Sequence, residues 1–153
     1  MRQIALLTFI LIFNFSFSQK KELRKAQKLY DAGDIAGASQ ILSDNQSLLE
    51  NADQKIKPKY DFLRGKIAQN NKKFKEAYDL FNTTKEIASI KDEVFEQLNL
   101  LSADVVNSAI DDNGNGDFKS STEKLYLAYT IDPDLNKIGR AHVWTPVTVN
   151  SRM

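Results

Sequence analysis

The stretch AIDDNGNGDFKSSTEKLYLAYTIDP, residues 109–133, decides the fold. Ala109 leads to a turn at Gly116, followed in order by Phe118, Ser121, Leu125, Ala128 and Pro133. The same spacing occurs twice upstream. It reads Gly65…Lys72-x-Phe74-x-x-Ala77-x-x-x-Phe81, and before that Ala26…Gly33-x-Ile35-x-x-Ala38-x-x-x-Leu42. Self-similarity of this kind marks a repeat architecture, in which each copy is one supersecondary unit.

Working outward, the periodicity makes each copy a pair of helices. Leu23, Ala26, Leu29 and Tyr30 form one apolar stripe over Lys20 to Asp31. Gly33 supplies a left-handed position that ends this helix. Asp34 is placed to cap the next, whose buried face is Ile35, Ala38, Ile41 and Leu42. Asn51 to Lys57 reads as a polar connection, and Pro58 fits the first turn of a third helix. That helix carries Tyr60, Phe62, Leu63, Ile67 and Ala68. It turns at Gln69 to Lys73 into a helix built on Phe74, Ala77, Tyr78, Leu80 and Phe81. A long helix is expected from about Asp92 to Ile110, with Val94, Phe95, Leu98, Leu101, Val105 and Val106 as its stripe. Asp111 to Asp117 reads as a loop, and Phe118 to Tyr129 as the last helix, stopped by Asp132-Pro133.

The two ends read differently. Residues 1–18 have the layout of a secretory signal peptide: Arg2, an apolar run from Ile4 to Phe13, then Ser16-Phe17-Ser18 before a cleavage point at Gln19. The run is shorter than the roughly 20 apolar residues a spanning helix needs. Cleavage leaves no membrane insertion, whereas a retained segment would tether the protein. At the other end, Ile138 to Thr148 resembles the translation of a short-read sequencing adapter, with Trp144 at the position of a TGA codon. Residues 138–153 are therefore set aside as a non-native tail, and the natural protein is expected to continue past Lys137.

Composition bounds what remains. Setting aside Arg2, Arg140 and Arg152 reduces the 21 Lys and Arg residues to 18, against 20 Asp and Glu. Both signs are interspersed, without the basic stripe expected of a nucleic-acid binder. The chain has no Cys, which excludes disulfides, thiol nucleophiles and Cys-ligated metal.

Residues 19–137 resemble the tetratricopeptide repeat. Ala109, Gly116, Phe118, Ser121, Leu125, Ala128 and Pro133 match that family's pattern most fully. The early Trp of the family is missing from all three copies. The copies lie 39 residues apart (Ala38 to Ala77) and 44 apart (Ala77 to Ser121), against 34 in the family. The resemblance implies an all-α fold of antiparallel helical hairpins stacked as a short solenoid. It also implies a non-enzymatic protein–protein interaction scaffold, exported to the periplasm or exterior. The first helix of each hairpin would line a partner groove through Leu23, Gln27 and Tyr30, then Phe62, Lys66 and Gln69, then Val106 and Ile110. Lys66 with Lys59 would attract a carboxylate or an acidic peptide. The family's carboxylate-clamping pattern is not reproduced, since Leu23 and Gln27 stand where it would begin. The other reading is an N-terminal sensor or adaptor part of a larger protein, with a regulatory or enzymatic domain beyond Lys137.

Chemistry finds little footing. The single His, His142, lies in the tail, and no catalytic, cofactor or metal residues are expected. Asp111, Asn113, Asn115 and Gly116 occupy calcium-loop positions 1, 3, 5 and 6, but Thr122 replaces the bidentate Glu. A polar turn is the expected reading of that segment.

Overall fold

The computed structural model describes residues 18–133. Residues 1–17 and 134–153 lie outside the described residues, and with them all but Ser18 of the signal peptide expected at 1–18, the helix that Asp134 to Lys137 would open, and the non-native tail expected at 138–153. Within them the chain is all-α, with no strand. The helices are α1 (residues 18–31), α2 (Ile35–Asp44), α3 (Gln46–Glu50), α4 (Lys57–Asn70), α5 (Phe74–Thr84), α6 (Lys91–Gly114) and α7 (Phe118–Ile131). None of them is long and apolar enough to cross a membrane.

Two compact units divide after Leu101. The first holds α1 to α5 and the opening turns of α6. Its core gathers Leu23 and Ala26 of α1, Ala38 and Leu42 of α2, Leu49 of α3, and Ile56, Tyr60, Leu63 and Ile67 at α4. The second unit holds the rest of α6 with α7. Its buried residues include Val105, Ser108, Ala109, Ser121 and Ala128.

The three-fold pattern is realised as three copies of one turn. Gly33, Lys72 and Gly116 all adopt positive φ, at 83°, 59° and 81°. Each donates its N–H three residues back: Gly33 to Tyr30 O at 2.9 Å, Lys72 to Gln69 O at 2.9 Å, Gly116 to Asn113 O at 3.1 Å. The next residue donates five back: Asp34 to Leu29 O, Lys73 to Ala68 O and Asp117 to Asp112 O, each at 2.9 Å. This pair of bonds is the Schellman motif, which satisfies the last carbonyls of a helix. The same residue then caps the returning helix. Asp34 accepts from Gly37 N at 2.8 Å and Asp117 from Ser120 N at 3.0 Å, whereas Lys73 has no side-chain cap.

The small residues of the pattern sit where helices close on one another. Ala26, Ala38, Gly65, Ala77, Ala109, Ser121 and Ala128 are all buried. A Cβ on Gly65 would press into the Phe81 ring, coming within 2.8 Å of Cδ1 and 3.0 Å of Cζ.

Three expectations are corrected. A short helix not foreseen, α3 (Gln46–Glu50), stands between α2 and the connection expected at Asn51 to Lys57, and accounts for part of the 39-residue spacing. The last helix runs on to Ile131. Most of the predicted loop at Asp111 to Asp117 is helix, because α6 continues to Gly114 over 24 residues, which lengthens the second spacing to 44. The extension is anchored by Asp112, whose carboxylate accepts from Lys124 Nζ at 2.6 Å and from Ser120 Oγ at 2.5 Å.

Candidate functional site

Of the predicted groove residues of the first unit, Gln27, Tyr30, Phe62 and Lys66 fall along the seam between α1 and α4. Gln27 and Tyr30 stand one turn apart on α1. Phe62, Lys66 and Asn70 stand at i, i+4 and i+8 on α4, so their side chains share one face. The Lys66 ammonium lies 4.5 Å from the Tyr30 ring centroid and 5.8 Å from that of Phe62. Asn70 Nδ2 donates to the Tyr30 hydroxyl at 2.9 Å, across the two helices. Such a cation over a half-exposed ring contributes about 0.5–1 kcal/mol. Burial raises the Tyr30 pKa, and the Asn70 hydrogen bond opposes the shift. Phe62 in turn tilts against Phe81 at 5.6 Å between centroids, tying this face to the core.

Toward the start of the same seam lies a surface recess of about 570 Å³. Lys20, Leu23, Arg24 and Gln27 of α1 line it, with Asp53, Lys55, Ile56 and Lys59 opposite. Four of these side chains are cationic and one is anionic. That one, Asp53, is engaged in its own turn, accepting from Lys55 N at 2.8 Å and Ile56 N at 3.0 Å. The recess is thus a basic mouth leading to the aromatic and amide groups of Tyr30, Phe62 and Asn70. On the other side of α4, Gln97 Nε2 donates to Gln69 Oε1 at 2.8 Å.

Not every predicted groove residue is open. Leu23 belongs to the core cluster, and Gln69 is buried with its amide held by Gln97. Val106 and Ile110 lie in the second unit, where Val106 is half-buried and Ile110 exposed. The residues missed are Lys20, Arg24, Lys55, Asn70 and Gln97. Part of the signal was present: Lys20, Arg24 and Gln27 repeat at i, i+4 and i+7. The nearly balanced total charge also hides a local basic face. Lys20, Lys21, Arg24, Lys25 and Lys28 are all exposed across one arc of α1.

A second recess, about 220 Å³, lies between α2 and the α4–α5 turn. Leu42, Tyr60 and Ile67 form its floor, with Ser39, Ser43, Asn71 and Arg64 around it. Arg64 stacks 5.4 Å from the Tyr60 ring and lies 3.9 Å from Glu50. Burial raises the Tyr60 pKa, with the Arg64 charge opposing. Both cations of this recess, Arg64 and Lys73, already face carboxylates.

No metal-binding group of three His, Asp or Glu side chains occurs among the described residues. In the acidic stretch, the main-chain carbonyls of Asp111 and Asp112 accept from the backbone of the turn, and the positions of Asp111 and Asn113 lie about 200° apart around the helix. They do not converge as a calcium loop requires.

No family model, curated protein or solved structure matches this chain.

Proposed function

We propose that this protein is a non-enzymatic interaction scaffold of the tetratricopeptide type, working outside the cytoplasm. Its ligand is an acidic peptide segment of a protein partner. The supporting observation is the α1–α4 seam, where a basic mouth continues into the Lys66–Tyr30–Phe62 stack. Extended peptides need these features together: cations for carboxylates, ring faces for side-chain packing, and amides for backbone groups. The helical hairpins hold the seam through the Schellman turns, so its shape is set before the ligand arrives and less ordering is lost on binding. The three-copy residue pattern supports the repeat assignment, and the signal-like N-terminus supports export.

Fluorescence anisotropy with a labelled Glu-rich octapeptide tests this reading. Binding is expected to weaken as salt rises, because the charges are surface-exposed and screened. Lys66→Glu and Lys59→Glu are expected to lower affinity at least tenfold, and Lys75→Glu on α5 to leave it unchanged. Equal binding by all three variants would refute the seam as the site.

A further inference from the structure

The two Asn-Gly steps of the chain stand side by side, at Asn113-Gly114 and Asn115-Gly116. The backbone holds them differently. Asn113 and Gly114 are the last two residues of α6, whereas Asn115 and Gly116 form the turn to α7. The Gly114 N–H belongs to the helical ladder, in which each amide donates four residues back. The Gly116 N–H donates three back, to Asn113 O at 3.1 Å, the longest of the three equivalent turn bonds. Both Asn side chains are exposed, and neither side-chain amide has a hydrogen bond among the described residues. Open space surrounds both glycines, with nothing within 4 Å of where a Cβ would stand. In the other two hairpins the residue before the left-handed position is Ala32 or Asn71. Asn71 precedes Lys72, which sets a side chain beside the amide nitrogen.

We propose that Asn115 is a site of spontaneous deamidation, and that conversion there loosens the turn of the third hairpin. The Gly116 amide nitrogen gives up its proton and attacks Cγ of Asn115. The N–Cγ bond forms, the Cγ–Nδ2 bond breaks, and Nδ2 leaves as ammonia with a proton regained. Water then opens the five-membered imide at either carbonyl. Breaking the new N–Cγ bond gives Asp, and breaking the bond from that nitrogen to the main-chain carbonyl gives isoaspartate. Water is the only co-reactant, and nothing is oxidised or reduced. To reach Cγ the nitrogen must leave its own hydrogen bond. At Gly116 that opens one bond of a helix-ending turn. At Gly114 it opens the helix itself, where Lys124 and Ser120 hold the neighbouring Asp112 carboxylate. Isoaspartate adds a methylene to the main chain between residues 115 and 116. The bonds from Gly116 to Asn113 and from Asp117 to Asp112 then fall out of register. Either product also sets a carboxylate at the C-terminal end of α6, where the helix dipole disfavours negative charge. Asp111, Asp112 and Asp117 already stand there.

Peptide mapping of the full chain, aged at mildly alkaline pH, tests the proposal. The tryptic peptide 92–119 carries both Asn-Gly steps, and its fragmentation locates the exchange of an NH for an O. In the folded chain Asn115 is expected to convert at least tenfold faster than Asn113. In concentrated urea both become unstructured Asn-Gly steps, and the difference is expected to vanish. Hydrogen exchange on the aged chain should quicken at 112–117 and stay unchanged at 29–34 and 68–73, the two turns without an Asn-Gly step. No conversion at Asn115, equal conversion at Asn113 in the folded chain, or a preference that persists in urea would overturn the proposal. So would unchanged exchange at 112–117 in converted chains. The site lies in the second unit, and its failure leaves the peptide-binding proposal standing.

Discussion

Lys66 of α4 holds its ammonium over the Tyr30 ring of α1, while Asn70, one turn further along α4, donates to the hydroxyl of the same tyrosine. One ring thus receives a cation on its face and a hydrogen bond at its edge from a neighbouring helix. The contact joins two hairpins at the surface, above a core of Leu23, Ala26, Leu63 and Ile67 that joins them beneath.

Tyr30 and Tyr60 are expected to ionise later than free tyrosine, because burial disfavours the phenolate at both. The sign follows from linkage. With the folded pKa above the unfolded value near 10, the stability from the neutral phenols is complete below about pH 10. It is lost as pH rises through the folded values. Absorbance titration at 295 nm should show late-ionising tyrosines, and Tyr60→Phe should reduce the loss of stability above pH 10. A single transition at the free value would refute this.

The middle hairpin carries a non-glycine at its left-handed position. Lys72 at φ 59° is strained by roughly 1–2 kcal/mol relative to glycine. Lys72→Gly is expected to raise the thermal midpoint, and Gly33→Ala and Gly116→Ala to lower it. Lys73→Asp should add a further 0.5–2 kcal/mol by supplying the cap that Asp34 and Asp117 provide elsewhere. Thermal melts of the four variants check the signs.

Close packing between α4 and α5 rests on the absence of a side chain at residue 65. Gly65→Ala is expected to destabilise by about 1–3 kcal/mol, since the Phe81 ring above it is itself fully buried and has nowhere to move. Ala77→Leu should behave alike. Phe81→Leu combined with Gly65→Ala should recover part of the loss, which urea denaturation of the double variant would reveal.

Lys124 bridges α7 to α6 through Asp112 at 2.6 Å and the Ser108 hydroxyl at 2.8 Å, with both charges largely sheltered. Lys124→Met is expected to cost more than a surface pair, about 1–3 kcal/mol, because Asp112 then loses a charged donor. Helical signal from the end of α6 should fall with it. Hydrogen exchange at Asp111 to Gly114 would register the loosening.

Much of this fold is legible in the sequence, and the places where it is not have physical causes. Two turns were readable because Gly33 and Gly116 supply the backbone that left-handed positions demand, and the third from the polar run Gln69 to Lys73, although its left-handed residue is Lys72. The five residues of α3 were too few to display a helical period. Asp111 to Gly114 reads as loop by propensity, yet tertiary bonds to Asp112 carry the helix through them. At the seam, Tyr30, Phe62 and Lys66 were reachable from the repeat pattern. Arg24 and Lys55 were not, because the nearly balanced total charge concealed their local excess. The resemblance made Leu23 a groove position while the periodicity put it on the apolar stripe of α1, and the structure follows the periodicity, drawing it into the core.

The most direct test of the seam as a binding surface is a nitrogen-15 and proton chemical-shift titration with the Glu-rich octapeptide. Shifts are expected to concentrate at Arg24, Gln27, Tyr30, Lys59, Lys66 and Asn70, including the Asn70 side-chain amide, and to shrink in Lys66→Glu. Shifts centred instead on Ser39, Arg64 and Asn71, or none at saturating peptide, would contradict it.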